Sequence, residues 1–217
     1  MIQNKLKKYA ALAALEYVNF DSVIGIGSGS TMLYFIQELY HFRTKIIGTV
    51  SSSYYTTLLL QNHGIKVLDV NTVSDPIIYI DSADEVNFDM YMIKGGGGAL
   101  TKEKIISSLS NQFICIIDES KLVHTLGQFP LPIEIIPESY SYIYQEVLKL
   151  GGIPKYRNGI VTDHGNIIID IYNLNLQNPQ LIENYLNSLA GIVTVGLFRM
   201  RKNDLILIST QYGIKSF

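Results

Sequence analysis

The residues best equipped for chemistry fall in one stretch: Asp81-Ser82-Ala83-Asp84-Glu85, then Lys94 followed by Gly95, Gly96, Gly97 and Gly98, then Glu103. Ahead of them, Ile77–Ile80 (Ile-Ile-Tyr-Ile) has the unbroken apolar character of a strand buried on both faces. Asp81 and Asp84 therefore follow a strand's carboxyl end, where open α/β sheets bind their ligands. The glycines let backbone N–H groups come close to an anionic or carbonyl-bearing ligand. Glu103 falls in the first turn of the helical segment Thr101–Leu109, whose positive end favours an ionised carboxylate by about 0.3–1 kcal/mol. A carboxylate base, a cationic electrophile and a polar pair around a glycine cradle suit proton abstraction beside a carbonyl.

A second candidate precedes these. Gly25-Ile-Gly27-Ser28-Gly29-Ser30-Thr31 follows a strand and opens a helix, which suits an anion held by backbone N–H groups and hydroxyls. A helix cap at a tight turn fits the same residues. The spacing is wrong for a dinucleotide fingerprint, and no acidic residue follows the next strand, Ile46–Val50, to hold a ribose. Asp81, Asp84 and Glu85 could hold magnesium, with Lys94 as the alternative counter-charge, or could simply cap a loop. Zinc is disfavoured, because His41, His63, His124 and His164 are scattered and none is paired at ligand spacing. Lys121, in Asp118-Glu-Ser-Lys121 directly after the strand Phe113–Ile117, has the setting of a solvated turn residue and gains meaning only from its companions.

The elements that must position these residues divide the 217-residue chain in two. Helical spacing over Lys5–Val18 and Met32–Tyr40 alternates with apolar runs at Val23–Ile26, Ile46–Val50, Val67–Val70, Ile77–Ile80 and Phe113–Ile117. That β-α-β order predicts a Rossmann-like, mostly parallel sheet. After Pro130-Leu-Pro132 the pattern changes. Strand Ile133–Ile136, helix Ser139–Leu150, strands Gly159–Thr162 and Ile167–Ile171, helix Gln180–Leu189 and strand Ile192–Phe198 make βαββαβ, the ferredoxin-like unit. The expected domains are 1–129 with 203–217 (α/β, catalytic) and 130–202 (smaller, ferredoxin-like α+β). At least one of Asp204–Ser209 and Ile214–Phe217 is expected to rejoin the first sheet.

Composition narrows the partners. A 47% hydrophobic and 17% charged chain is that of an ordinary globular protein, and a net charge of −2 gives no field for nucleic acid. The single cysteine, Cys115, lies in an apolar strand and suits a reducing cytoplasm. No run approaches the roughly 18 apolar residues of a membrane span, and the start Met1-Ile-Gln-Asn-Lys5 has no apolar signal segment.

Taken together, Gly25–Thr31, Ser51-Ser-Ser53, Asp81–Glu85, Lys94–Lys104, Asp118–Lys121 and Phe129-Pro-Leu-Pro-Ile-Glu-Ile-Ile-Pro137 resemble the type A ribose-5-phosphate isomerase family. Tyr156-Arg157, Val161-Thr-Asp163, Gly165-Asn166 and Val193–Phe198 extend the resemblance over essentially the whole chain. Ser28, Ser82 and Gly98 depart from the family's usual threonine, glycine and alanine. The resemblance implies interconversion of ribose 5-phosphate and ribulose 5-phosphate through an enediolate, with no metal and no organic cofactor. It implies Glu103 as the base and Lys94 as the group that stabilises charge on oxygen. Asp81 and Asp84 would bind sugar hydroxyls, Asp81 also assisting ring opening. Ser28, Gly29, Ser30, Thr31 and Lys121 would hold the phosphate, Lys7 more weakly, with Ser82, Ala83, Gly95, Gly96 and Gly97 completing the substrate contacts. A cytoplasmic homodimer is expected. Two other classes compete: a sugar-phosphate-sensing domain, which would need a DNA-binding module, and a CoA-transferase-like enzyme, in which the glutamate would be a nucleophile.

Overall fold

A computed structural model of the chain describes residues 2–73 and 77–217. In chain order the elements are α1 (Ile2–Leu15), β1 (Val23–Ile26), α2 (Ser30–Leu39), β2 (Gly48–Ser51), α3 (Tyr54–Asn62) and β3 (Ile77–Asp81). β4 (Glu85–Val86), β5 (Tyr91–Ile93), α4 (Leu100–Leu109), β6 (Ser110–Asp118), β7 (Leu131–Ile135), α5 (Tyr140–Lys149) and β8 (Ile153–Tyr156) follow. β9 (Ile167–Tyr172), α6 (Pro179–Asn187), β10 (Ile192–Val195), β11 (Leu197–Arg199), β12 (Leu205–Thr210) and β13 (Gly213–Ser216) complete the chain. Two compact units form: one from the N-terminal segment to Ser82 with Ile105–Lys121 and Met200–Phe217, the other from Ala83–Lys104 with Leu122–Arg199.

The first unit is a six-stranded sheet in the order β13-β12-β6-β3-β1-β2. Its strands are parallel except for β13, which closes an antiparallel hairpin with β12. β1 is buried at every position, as a parallel strand covered on both faces must be. On one face Ile24, Ile26, Ile80, Ile114 and Leu207 pack with Ala10, Ala11 and Ala14 of α1 and Met32, Phe35, Ile36 and Leu39 of α2. On the other, the rings of the in-register pair Tyr79 and Phe113 pack at a tilt of 32° with centroids 5.0 Å apart. The chain leaves β1 toward β2 on one side and returns as β3 on the other, so the sheet's switch point lies between β1 and β3. Both C-terminal segments join this sheet, where the sequence asked for at least one.

In the second unit, β10-β7-β9-β8 form an antiparallel sheet, the order of a ferredoxin-like βαββαβ unit. Its core joins Leu131, Ile133, Ile135, Ile169, Ile171 and Val195 of the sheet to Ile143 and Val147 of α5 and Leu186 of α6. A small sheet, β11-β5-β4, belongs to the same unit.

Three expected elements differ. Val67–Val70 makes only an isolated bridge from Val67 to Thr49, and Val70–Thr72 is a 3-10 turn because Asp69 Oδ1 accepts the Asn71 N–H at 2.9 Å. Gly159–Thr162 is a loop, not the second ferredoxin strand. Gly159 takes φ 75°, and the Thr162 hydroxyl turns inward to Glu134 Oε1 at 2.8 Å. That strand is instead Ile153–Tyr156, an edge position that tolerates Pro154. Ile192–Phe198 splits at Gly196 into two strands of different sheets. A Cβ at Gly196 would sit 2.4 Å from the Lys94 carbonyl oxygen and 2.7 Å from that of Pro132, so only glycine can occupy this corner.

Candidate active site

In the first unit the switch point is built around Asp81, the last residue of β3, whose carboxylate is fully buried. Oδ1 accepts the N–H groups of Ser28 at 3.0 Å and Ser82 at 2.7 Å, and Oδ2 accepts the Tyr79 hydroxyl. A Cβ on Gly27 would fall 1.9 Å from the Asp81 carboxyl, so a side chain at that turn residue would displace it. Beyond Gly27 the chain turns through Gly29 at φ 95° into α2, which exposes Ser30 at the helix start. Lys7 Nζ donates to Ser30 Oγ at 2.9 Å and brings a cation to this turn. The backbone amides of a helix N-terminus, a hydroxyl and an ammonium form a setting for an anion. At the end of β6, Asp118 accepts the Ser120 N–H at 3.1 Å and the Gln3 amide at 3.5 Å, which shapes the turn that ends in Lys121.

The second unit holds the other group. Lys94 directly follows β5, and its N–H donates to the Gly196 carbonyl at 2.9 Å. The chain then curls through Gly95 (φ 107°) and Gly98 (φ 79°), with the Gly98 N–H on the Gly95 carbonyl at 3.0 Å. This reversal brings Lys94 Nζ to 3.4 Å from Glu103 Oε2. Both side chains are almost completely buried, at 2% and 4% exposure. Phe198 lies beside the pair, its ring centroid 5.6 Å from Lys94 Nζ. Asp84 holds the loop from one side, its Oδ2 accepting the Gly96 N–H at 2.7 Å.

The three carboxylates of Asp81–Glu85 thus do separate work. Glu85 accepts the N–H groups of Gly127 at 2.7 Å and Phe129 at 2.5 Å and so fixes the loop before β7. Among the described residues no group of three or more His, Cys, Asp or Glu side chains gathers as a metal site. Likewise no described helix is long and apolar enough to cross a membrane.

Sequence reasoning assigned no role to three supports in this unit. Arg157 forks onto Asp170, with Nε donating to Oδ2 at 2.8 Å and Nη2 to Oδ1, and its Nη1 reaches the carbonyls of Gly95 at 2.9 Å and Gly96 at 3.2 Å. Glu134 is fully buried and accepts from Thr101 at 2.5 Å and from Thr162 and Asn166 at 2.8 Å each. Lys104 donates to Glu183 at 2.7 Å and to the carbonyls of Val195 and Leu197 at 2.8 Å, on either side of the Gly196 corner. Burial pushes the Lys104 ammonium below the ordinary lysine range, with Glu183 acting in the opposite direction. Each partner lies far along the chain, and no periodicity marks it.

The first unit thus gathers backbone amides, a hydroxyl and an ammonium at a helix start, and the second a buried lysine–glutamate pair after a glycine loop, in a chain of α/β architecture. The family model described as ribose 5-phosphate isomerase A (phosphoriboisomerase A) matches residues 48–213. Ribose-5-phosphate isomerase A of Buchnera aphidicola subsp. Acyrthosiphon pisum (strain Tuc7) is 57% identical over 213 residues, covering 98% of this chain and 96% of that protein. The crystal structure of ribose 5-phosphate isomerase A from Neisseria gonorrhoeae aligns with TM-score 0.94 at 42% identity, over 99% of this chain and 96% of that one. A D-ribose-5-phosphate isomerase in complex with phospho-erythronic acid aligns with TM-score 0.93 at 35% identity, over 100% and 99% of the two chains. The chain belongs to the ribose-5-phosphate isomerase A family, a family of isomerases. The sensor-domain and CoA-transferase alternatives find no support in these comparisons.

Proposed function

We propose that this chain interconverts D-ribose 5-phosphate and D-ribulose 5-phosphate by proton transfer through an enediolate, as a step of the pentose phosphate pathway. The observation that carries the reading is the buried pair of Lys94 and Glu103, 3.4 Å apart beside four glycines. In the open-chain aldose, Glu103 takes the proton from C2 and returns it to C1. The Lys94 ammonium and the loop amides of Gly95 and Gly97 face the negative charge that develops on oxygen, while Gly96, its N–H held by Asp84, brings its backbone up to the substrate. Out of water such donors act with far greater effect than in it. Asp84 binds a sugar hydroxyl. Asp81, held at the end of β3 by the N–H groups of Ser28 and Ser82 and the Tyr79 hydroxyl, assists ring opening.

Ser28, Gly29, Ser30, Thr31 and Lys121 hold the phosphate with Lys7 in support, and Ser82 and Ala83 complete the substrate contacts. Binding energy from the remote phosphate can be used to orient the reacting carbons. The working enzyme is read as a cytoplasmic homodimer that needs no metal, in keeping with one buried cysteine and a lysine supplied as the electrophile. The test is a coupled assay with ribose 5-phosphate on chelated protein, with NMR of C2 hydrogen exchange in deuterated solvent. Turnover with exchange is expected. Activity that vanishes with EDTA and returns with one divalent ion would overturn the metal-free part.

A further inference from the structure

We infer that Arg157 is a positioning residue for the proton-transfer step: its guanidinium sets the Gly95–Gly96 and Gly96–Gly97 peptide planes of the loop between Lys94 and Glu103. The inference rests on reading Lys94 and Glu103 as the reacting pair. Arg157 follows β8 directly, and its own N–H donates to the Ile168 carbonyl at 2.9 Å, so the sheet fixes where its side chain begins. The fork onto Asp170 then fixes the plane of the guanidinium, because two parallel N–H···O bonds leave it no rotation. With that plane set, Nη1 meets the carbonyls of Gly95 and Gly96 together.

All described peptides are trans, so each N–H points opposite the carbonyl of the preceding residue. The Gly96 N–H is thereby directed to Asp84 Oδ2, where it is found at 2.7 Å. The Gly97 N–H is turned away from the guanidinium, on a residue that is exposed. A glycine run has no steric preference of its own to hold these planes. Arg157 supplies it, and a cation behind the carbonyls also polarises the same peptides, which strengthens their N–H groups as donors. Lys94 sits one peptide ahead of the clamp, its N–H held by the Gly196 carbonyl. Lysine in place of Arg157 could carry the charge but could not span both carbonyls and both carboxylate oxygens.

The test compares full-length parent, Arg157→Ala, Arg157→Lys and Asp170→Asn. In folded Arg157→Ala and Arg157→Lys we expect kcat to fall about ten- to a hundredfold while KM stays within about twofold, the pattern of a misplaced rather than an absent substrate. Phospho-erythronic acid, which extends a carboxylate beyond its phosphate, should bind at least about tenfold more weakly, and inorganic phosphate should bind as to the parent. Added guanidinium ion should restore part of the lost kcat in Arg157→Ala. Where Arg157→Ala does not fold, Arg157→Lys, which keeps the charge opposite Asp170, decides. Unchanged kcat in a folded variant overturns the inference, as does equal loss of phosphate and phospho-erythronic acid binding, which would mark general loosening. A parent without turnover on ribose 5-phosphate sinks the proposed reaction itself, and this inference with it.

Discussion

Replacing Glu103 by glutamine removes basicity while keeping size, and two magnitudes follow. A positioned general base contributes about 10²–10⁴ in rate, or about 2.7–5.5 kcal/mol at about 1.36 kcal/mol per tenfold. The same substitution leaves the Lys94 ammonium buried beside a neutral amide. Removing one partner of a buried pair costs about 3–5 kcal/mol, a ceiling here because the glutamine oxygen can still accept from Nζ. For a chain of this size that ceiling is a fall in Tm of about 6–20 °C, at roughly 2–4 °C per kcal/mol. Adding Lys94→Met removes the stranded charge as well. The double variant should therefore recover stability relative to Glu103→Gln while recovering no activity. The assays are coupled turnover, C2 hydrogen exchange by NMR and thermal unfolding of the parent, both single variants and the double. Full turnover or normal exchange in folded Glu103→Gln would mean the base is misassigned, and Asp81 would be tested next. A double variant less stable than either single one would refute the account of the buried pair.

Gly27→Ala should cost both stability and activity, since its Cβ would stand 1.9 Å from the Asp81 carboxyl that holds Ser28 and Ser82; denaturant unfolding and turnover check this. Lys121→Ala should raise KM for the sugar phosphate by about tenfold or more with the fold unchanged, and an unaltered KM would return Lys121 to an ordinary surface role. The hydrogen bond from Lys149, then that from Tyr185, holds the Glu146 carboxyl below its usual range, and Glu146 raises Lys149 in turn. The carboxylate's contribution is thus present above the ordinary glutamate range and is lost as pH falls through its lowered value. That of Lys149 is complete below the ordinary lysine range and is lost as pH rises through its raised value. Glu146→Gln should flatten the pH dependence of denaturant stability at both ends.

Strands buried on both faces were the most legible elements. β1, β3 and the Phe113–Ile117 part of β6 carry apolar side chains at nearly every position, and the sequence displays such runs openly. The edge strand Ile153–Tyr156 was not legible. It is the short run Ile-Pro-Lys-Tyr, with only Pro154 buried, so no apolar pattern marks it and its place shows in the backbone pairing with β9. Ile160 and Val161 imitate a strand, yet both are exposed in a loop whose shape is set by a buried carboxylate far away in the chain, Glu134. Gly196 sat inside an apolar run with no outward sign of the two carbonyls that crowd it. At the site, residue types and order revealed the cradle and the glycine loop. The Arg157 clamp depends on antiparallel register, which composition and spacing do not carry.

The sequence offers many carboxylates, and what each one pairs with sets Glu103 apart from the rest. Asp81, Asp84, Glu85, Asp118 and Asp204 all accept backbone N–H groups, which holds the chain in shape around them whatever Asp81 and Asp84 do for a substrate. Asp170, Glu183 and Glu146 pair with cations, but in each of these pairs at least one side chain keeps contact with water. Only in Lys94–Glu103, among the described ion pairs, are both side chains all but removed from solvent. Such burial is a poor source of stability, because the desolvation of two charges takes back what their attraction gives, and apolar residues of similar size serve a core at least as well. A pair kept under those terms beside four glycines is better explained by what it can do to a bound carbonyl. Its cation can meet a developing oxyanion and its anion can carry a proton.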